Sequence, residues 1–514
     1  MLKTIDGGRE TTHTRPPPVR SITAVGPAAL HPDRSNGRWS TLLRAGFLIA
    51  FGLTLVHVLA LPLVIPYDGH EYIDFAAVLF SDRFPRDWQP PIRTPGYPLA
   101  LRAAFELFGR QPLAVVAVNA AFAAGMLAII AALTRRLAGD TAAAAAVMAT
   151  ALFPLSIAYQ HHALTESGMA FLLVLTAGCL LLPAATPRSG WLKAAALIGT
   201  LAAGYYHRQS MQFVLPAAAG LFALSILARP GDRWRSSVSR APYAAWILGL
   251  QTVAVLLVPI GLARLWEPYA PSKDIRSYMI KQGIVRQAVI PPGDPILGEA
   301  AADYAVAVDE GWQESRLISG IKPARIGELA GNLYPVLEPP TATLARLAAT
   351  HPGRYLAGVG RTLLLYAGYP VPQSTNWSAE HAAFGPALAA GHNQIDEGLL
   401  RLTSSTRRAF SEPAAPSLVS AALWGIAPLF DHGIVPLGMV ALVGLVAVGL
   451  WQRDIRLIIV AAVPLAYLLG HAAMLAAEDR YAFPAQPFAV AAIAALATRA
   501  AANFGASPRP NPSP

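Results

Sequence analysis

About ten apolar runs, each long enough to cross a lipid bilayer, constrain this chain more than any other feature of its sequence. A bilayer core is about 30 Å thick, and a helix needs roughly 20 apolar residues to cross it. The runs lie near residues 42–65, 112–133, 141–160, 165–183, 191–206, 211–228, 243–266, 434–451, 457–476 and 484–501. They predict an all-α polytopic membrane protein. The first run is too long for a signal-peptide core and should remain attached as the first helix.

The composition agrees with this fold class and excludes several kinds of function. Apolar residues make up 54% of the chain and charged residues 14%, and the mean hydropathy of +0.42 is above that of soluble globular proteins. The single cysteine, Cys179, excludes a disulfide framework and a thiolate metal site. The net charge of +10 comes from basic residues scattered through loops without interleaved aromatic residues, so we predict no nucleic-acid partner.

Basic residues in alternate loops predict the orientation of the helices. Loops that carry Lys and Arg stay in the cytoplasm. This rule places the amino terminus inside, and it places the 67–111 loop, the 267–350 region and the Glu478–Tyr481 turn outside. The basic loop residues are Arg135, Arg136, Arg188, Lys193, Arg229, Arg233, Arg235, Arg240, Arg453 and Arg456.

Two further apolar segments, 355–370 and 417–432, leave the number of crossings open. Either both cross, which gives about twelve helices, or both lie on the outer surface as interfacial helices. We prefer the crossing, although the sequence from His351 to Tyr355 is typical of the start of a surface helix.

The predicted helices and loops divide the chain into five parts. They are a disordered, proline-rich cytoplasmic tail at 1–40, an N-terminal transmembrane module at 41–266 with the first outer loop at 67–111, a small extracytoplasmic region at 267–350, a C-terminal transmembrane module at 351–503, and a cytoplasmic tail at 504–514.

The first outer loop concentrates ionisable and aromatic residues at the membrane surface. It contains the hexapeptides Tyr67–Tyr72 (Tyr-Asp-Gly-His-Glu-Tyr) and Arg93–Pro98 (Arg-Thr-Pro-Gly-Tyr-Pro). Ionisable groups at this depth are costly without a purpose, so we interpret the loop as the active site. The bland alternatives are a helix cap for Asp68 and an interfacial anchor for Arg93.

Residue spacing predicts two short helices in this loop. Asp68, Tyr72, Ala76 and Leu79 recur at helical intervals, which places Asp68 at the start of an amphipathic helix. A second helix is indicated by Pro98 near its first turn and by an apolar face of Tyr97, Leu101, Ala104, Phe105 and Phe108.

Three other outer turns bring polar groups to the same face of the membrane. They are His161–Glu166, Tyr205–Gln209 and Glu478–Tyr481. Arg208 and Arg480 suit a phosphate because a guanidinium presents several donors in a planar fork and remains charged. Pairing with nearby acids, or snorkelling to the interface, is the structural alternative for both.

A metal site is conceivable at the turn that carries His161, His162 and Glu166. Adjacent histidines on a helix point in different directions, however, and interfacial histidines are more often polar caps. We therefore predict no metal and no cofactor.

In these motifs the chain resembles the GT-C glycosyltransferases that use polyprenyl-phosphate sugars, including bacterial relatives of protein O-mannosyltransferases and aminoarabinose transferases. The resemblance rests on Asp68, Tyr72 and Ala76, on Arg93–Pro98 leading to Phe108–Gly109, and on shorter matches at Thr165–Glu166, at His351–Pro352 with Tyr355, and at Arg480–Tyr481 with Pro484. Many relatives carry two adjacent acids where this chain has Asp68 followed by Gly69.

The resemblance implies an inverting displacement at the anomeric carbon in a bacterial inner membrane, on the extracytoplasmic side. Asp68 would remove the proton from the acceptor hydroxyl, with Glu71 and Glu166 as the other candidate catalytic carboxylates. The leaving group is a lipid phosphate, whose growing charge Arg93, Arg208 and Arg480 would meet. The further candidates, for substrate binding, are His70, Tyr72, Tyr97, His207 and Tyr481. The expected partners are the bilayer, the lipid-linked donor and a glycan, lipid or protein acceptor.

Two other functions fit parts of the pattern. A transporter would explain the helices and buried charges, but it predicts internal repeats, and the long outer segments have no matching partners. A lipid-linked glycan polymerase or ligase would call for one dominant outer loop late in the chain, whereas the motif-rich loop here is early.

Overall fold

The computed structural model describes residues 40–61, 67–80, 94–184, 186–227, 242–266, 337–369, 429–476 and 479–505, with single residues at 63, 65, 422 and 426 and short pieces between 279 and 294. The chain divides into two units, Met1–Arg38 and Trp39–Pro514, and every described residue belongs to the second.

The described residues fold into helices joined by short turns, as the apolar runs predict. The helices are α1 Thr41–Ala60, α2 Tyr67–Val78, α3 Gly96–Phe108, α4 Pro112–Ala138, α5 Asp140–Ala151, α6 Pro154–Gln160, α7 Glu166–Leu180, α8 Pro187–His207, α9 Leu215–Leu227, α10 Pro242–Trp266, α11 Pro340–Thr350, α12 Pro352–Tyr366, α13 Val435–Gln452, α14 Ile455–Ala473 and α15 Gln486–Gly505. Two 3-10 turns, Gln209–Phe213 and Asp479–Ala485, precede α9 and α15.

Within the described residues, six helical stretches are long and apolar enough to cross a membrane. They are Thr41–Leu59, Pro112–Ala151, Ala245–Leu265, Val435–Gln452, Ile455–Ala473 and Arg480–Ala502. The multi-pass membrane class is therefore confirmed, although fewer helices than the predicted ten have full spanning length. The apolar helices α7 and α9 have 15 and 13 residues, which at about 1.5 Å per residue is shorter than a bilayer core.

The helices pack through small residues, as is common in membranes, where close backbone approach replaces hydrophobic burial as the driving force. On α1, a Cβ added at Gly46 would lie 3.3 Å from the Ala144 Cβ of α5. On α13, a Cβ at Gly438 would lie only 2.5 Å from the Ala489 Cβ of α15. The outward faces of α1 and α10 remain apolar and exposed, as lipid contact requires.

The N-terminal and C-terminal transmembrane modules share one hydrophobic core. The last helix, α15, packs against α4 and α5, and α14 packs against α7 and α9. Side chains far apart in sequence are therefore held at the same ends of one bundle.

The two ends of the bundle differ in charge. We call the end where α4, α7 and α13 finish the basic end. There Arg135 contacts Asp140 at 2.6 Å, and Arg499 donates to the Leu137 carbonyl at 3.1 Å and to Gln452 at 2.7 Å. The opposite end, where α7 begins and α8 and α14 finish, is the polar end.

Both predicted helices of the first outer loop form at the polar end, as α2 and α3. The buried face of α3 contains Tyr97, Leu101, Ala104 and Phe105. Phe108 was expected on that face and is instead 50% exposed, because α3 ends there and Gly109 turns the chain away with φ +78°.

Residue 370 lies outside the described residues, and residues 355–366 of the segment 355–370 lie in α12, which has 15 residues and includes Arg354 and Arg361. It is not among the stretches of spanning length, and it lies against the polar end of α14. The Tyr355 hydroxyl donates to the Ala473 carbonyl at 3.0 Å, and the Tyr366 hydroxyl donates to the Ala476 carbonyl at 2.5 Å. These contacts favour the interfacial alternative over a crossing. Most of the segment 417–432 lies outside the described residues.

Gly139, which separates α4 from α5, should be sensitive to any side chain. Its φ of +87° and ψ of −177° lie in a region that essentially only glycine adopts. Gly139→Ala should lower the free energy of unfolding by about 1–3 kcal/mol. The measurement is thermal unfolding of the purified protein in detergent.

Gly199 on α8 provides the matched control for this change. An added Cβ there meets nothing within 4 Å. Gly199→Ala should leave the unfolding temperature unchanged or slightly higher, because alanine is the better helix former. Equal effects of the two substitutions would contradict the assigned strain.

Candidate functional site at the polar end

Polar side chains from four separate parts of the chain meet at the polar end of the bundle. They come from the first outer loop, from the turn between α6 and α7, from the residues after α8, and from the end of α14 with the turn that follows it. The packing of α3 on α8, and of the Asp479–Ala485 turn on α7, α14 and α15, brings these parts together.

The Glu166 carboxylate lies at the centre of this cluster. It is the first residue of α7, and its side chain is only 1% exposed. Arg208 Nη1 lies 3.0 Å from Glu166 Oε1, and Arg480 Nε lies 4.0 Å from the same oxygen. The two arginine side chains are 16% and 11% exposed. Two largely buried guanidinium groups therefore share one buried carboxylate.

Arg208 is stably charged in this position. Burial alone would lower the pKa of its guanidinium, but the negative charge of Glu166 opposes this, and the net effect raises the pKa above its ordinary value. Arg208 therefore offers a permanent positive charge at the polar end at every physiological pH.

Tyr481 forms an aromatic wall beside the two arginines. The Arg208 guanidinium carbon lies 4.4 Å from the centroid of its ring, and that of Arg480 lies 5.4 Å away. The His471 ring stacks on Tyr481 at 5.0 Å. His471 Nδ1 also donates to the Tyr467 carbonyl at 2.9 Å. These contacts fix the direction of the guanidinium groups.

A second group of rings joins the first outer loop to α8. Tyr97 lies edge-on to Tyr72 at 5.4 Å and to His207 at 5.5 Å. His207 Nε2 donates to the Thr165 carbonyl at 3.1 Å, one residue before Glu166. The Thr94 hydroxyl donates to the His207 carbonyl at 2.8 Å. Through these contacts the start of α3 reaches the carboxylate cluster.

Two glycines permit this close approach. A Cβ at Gly96 would lie 2.6 Å from the backbone nitrogen of His207, which is closer than real Cβ atoms come. A Cβ at Gly168 would lie 2.1 Å from His207 Nε2. Only glycine lets α3 and α7 lie this close to the end of α8.

The remaining predicted residues of the first outer loop are described only in part. Asp68 is the second residue of α2, and its side chain and that of His70 lie outside the described residues, as does all of Arg93. Glu71 is half-buried on α2, and Tyr72 is buried. Asp74, which sequence reasoning did not select, is also buried on this helix.

The adjacent histidines lie in the turn between α6 and α7 and not on a helix, and they point to different partners. His161 Nε2 lies 3.1 Å from His57 Nδ1 of α1, and His162 Nδ1 donates to the Ala158 carbonyl at 2.5 Å. Burial lowers the pKa of His162, although Ala158 and Glu166 oppose this, so the imidazole is neutral at pH 7. Among the described residues, no three His, Cys, Asp or Glu side chains are grouped as a metal ion would require.

Besides Asp74, sequence reasoning also missed Asn119 and His471, which lie at this end. Each is fully buried within an apolar helix, α4 and α14. The available signal was a lone polar residue inside a spanning run, which in membranes generally faces the bundle interior.

The sequence of part of the chain matches a known family. Residues 91–258 match the family described as dolichyl-phosphate-mannose-protein mannosyltransferase. The matched segment includes the start of α3, Glu166 and Arg208, whereas α2 and Arg480 lie outside it. The match confirms the resemblance that the sequence motifs indicate. A comparison with curated protein sequences finds no match.

Two crystal structures of ArnT from Cupriavidus metallidurans are distantly similar. The structure bound to undecaprenyl phosphate has a TM-score of 0.37 and 14% sequence identity, and the alignment covers 88% of this chain and 77% of that chain. The apo structure has a TM-score of 0.34 and 14% identity, covering 84% and 76%. Likeness at this level identifies no residue of the present site.

The ion pair between Glu166 and Arg208 should matter far more to stability than an exposed pair. Arg208→Met should destabilise the protein by about 3 kcal/mol, because it leaves a buried carboxylate without its nearest cation. The double variant Glu166→Gln/Arg208→Met should recover much of this loss, since both charges are then removed. Thermal unfolding in detergent measures both differences from wild type.

The exposed pair on α3 supplies the control. Arg102 and Glu106 are 2.5 Å apart, and the Glu106 side chain is 65% exposed. Glu106→Gln should change the unfolding free energy by less than about 1 kcal/mol. A double variant no more stable than Arg208→Met alone would contradict the assigned coupling.

Proposed function

We propose that this chain, a membrane glycosyltransferase of the GT-C class, transfers a sugar from a polyprenyl-phosphate donor to an acceptor hydroxyl on the extracytoplasmic side. The observation that carries the proposal is the cluster of Arg208 and Arg480 around Glu166 at the polar end of the bundle. A polyprenyl donor reaches a protein from within the bilayer, so its phosphate arrives at such an end.

The charge of the cluster suits this donor. Two guanidinium groups and one carboxylate carry a net single positive charge, and a sugar phosphodiester carries a single negative charge. Glu166 would then orient the guanidinium groups, while Arg208 and Arg480 bind the phosphate oxygens through their planar forks. The ring of Tyr481 beside both groups restricts their rotation. Arg93 is the third proposed phosphate contact, from the first outer loop.

The proposed reaction is a single displacement with inversion at the anomeric carbon. Asp68 takes the proton from the acceptor hydroxyl as its oxygen forms the new bond to carbon, and the bond from carbon to the phosphate oxygen breaks. The leaving polyprenyl phosphate keeps that electron pair, and the arginine cluster meets the developing charge. The position of Asp68 in the first turn of α2, on the loop that contacts α8 through α3, supports this role.

Charge and burial also support the proposed orientation of the bundle and the proposed roles of the aromatic and histidine side chains. Arginines at the basic end favour a cytoplasmic location for that end, which puts the polar end outside a bacterial inner membrane. Tyr72, Tyr97, His207 and Tyr481 are largely buried, so we assign them mainly to shaping the site, with His70 left as a direct substrate contact. The reaction as written needs no metal or other cofactor. The acceptor is a glycan, lipid or protein hydroxyl.

Asp68→Asn should abolish sugar transfer while insertion and folding are retained, because the amide keeps the size of the side chain and removes the base. A general base contributes about 100- to 10,000-fold, so the rate should fall at least about 100-fold. The measurement is transfer of label from a panel of radiolabelled polyprenyl-phosphate sugars to acceptors in a membrane extract.

Glu71→Gln, three residues along α2, is the matched control. It should retain most of the transfer rate. Loss in Glu71→Gln with activity in Asp68→Asn would assign the base to Glu71. If wild-type protein uses none of the donors, the glycosyl-transfer proposal is wrong. A transporter or a lipid-linked glycan polymerase would then be the favoured function.

Arg480→Gln should weaken the use of the donor. Loss of a charged contact to phosphate costs about 1.5–3 kcal/mol, so KM for the donor should rise about 10-fold or more. Inhibition by free polyprenyl phosphate should weaken in parallel, because the product presents the same phosphate. Arg136→Gln, at the basic end, should change neither value. Normal donor KM in Arg480→Gln would remove this residue from the phosphate site.

A further inference from the structure

We propose that Asn119 is a positioning residue. It holds the part of the site that binds the donor phosphate in a fixed position relative to the part that carries the proposed base. This inference rests on the proposed function. Asn119 lies on α4, is fully buried, and is surrounded along its helix by apolar residues. Among the described residues, its side chain forms hydrogen bonds only with Tyr97, Tyr159, Gln160 and His162.

Both the NH2 group and the oxygen of the Asn119 side-chain amide form hydrogen bonds. Its Nδ2 group donates to the His162 carbonyl at 2.8 Å and to the Gln160 carbonyl at 3.2 Å, with the Tyr159 carbonyl at 3.5 Å. Its Oδ1 accepts from the Tyr97 hydroxyl at 3.1 Å. Carbonyl groups only accept, so the amide orientation is fixed by its neighbours.

The first set of bonds holds the turn between α6 and α7. This turn interrupts the helical hydrogen bonds inside the bundle, and its residues from His161 to Thr165 are buried. Buried carbonyls away from water need a donor, and the Asn119 amide supplies one. The turn leads directly into Glu166, so its position sets the position of the carboxylate that orients Arg208.

The second bond holds the start of α3. Tyr97 is fully buried, contacts Tyr72 of α2 and His207 at the end of α8, and lies in the helix that continues the first outer loop. α2 packs against α3 and carries Asp68. One amide thus connects the helix pair with the proposed base to the turn with the proposed phosphate-orienting carboxylate.

No apolar residue could replace this connection. A leucine of similar size would leave the turn carbonyls and the Tyr97 hydroxyl without this partner, and the two sides of the site could then shift independently. A displacement of about 1 Å between reacting groups costs about 100-fold in rate. Glu166, Arg208 and Arg480 stay paired with one another, so the phosphate site would move as a unit and the loss should appear in turnover and not in donor affinity.

The experiment compares wild type, Asn119→Leu and Asn119→Asp as purified full-length proteins. Asn119→Asp keeps the acceptor for Tyr97 and replaces the donors by a carboxylate oxygen that faces carbonyls. Binding of a radiolabelled polyprenyl-phosphate sugar counts donor-binding sites, and transfer is expressed per bound site. Both variants should turn over about 10- to 100-fold more slowly per site, with donor Kd changed less than about threefold.

Two further variants separate positioning from mere stability. Tyr97→Phe removes only the bond to Oδ1 and should give a smaller loss per site than Asn119→Leu. Thr134→Val, a buried polar change on the same helix away from the turn, should leave turnover per site unchanged. A purely structural role would reduce the number of donor-binding sites and leave turnover per site at the wild-type value.

That last result would overturn the inference while the proposed function stands, since wild type would still transfer sugar. Donor binding that is lost together with turnover in Asn119→Leu, at a normal unfolding temperature, would also overturn it. Wild-type protein that neither binds nor uses any donor would overturn the proposed function and this inference together.

Discussion

A buried carboxylate organises the polar end of this bundle. Two guanidinium groups largely removed from water would repel each other, and Glu166 allows Arg208 and Arg480 to share one small region. The neighbouring residues are placed so that they fit around this cluster. Tyr481 presents its ring to both arginines, and Gly168 leaves room for the imidazole that donates to the Thr165 carbonyl. The ion pairs, the ring contacts and the close helix packing at this end therefore depend on one another.

This carboxylate is positioned by the non-helical turn that directly precedes it in the chain. Between α6 and α7 the chain leaves helical geometry, and the residues of this turn from His161 to Thr165 are buried, so their carbonyls need donors from the protein. The amide of Asn119 and the imidazole of His207 supply the donors that a helix would otherwise provide. An irregular segment at this depth is therefore stable only because polar residues on two other helices face it.

The sequence indicated the fold class and the convergence of polar turns at one end of the bundle, because length, hydropathy and basic loops depend on local composition. It also located the helices α2 and α3 from their spacing. It could not indicate that Arg208 pairs with Glu166, since that contact joins residues 42 positions apart through tertiary packing. Asn119 and His471 were missed although each is a lone polar residue in an apolar run, which indicates an interior position but not the groups that the side chain contacts. The expected burial of Phe108 failed because a helix terminus changes the face that its last residue presents.

The shared core of the two transmembrane modules has a consequence for biogenesis. Glu166 and Arg208 are synthesised early, whereas Arg480 and Tyr481 immediately precede the final helix, which packs between segments inserted long before it. A nascent chain therefore holds an incomplete charge cluster until Arg480 has been synthesised. Under the proposed chemistry, full affinity for a lipid phosphate is reached only after the segment that carries Arg480 has joined the bundle, so a chain truncated before this residue would keep only part of its phosphate site.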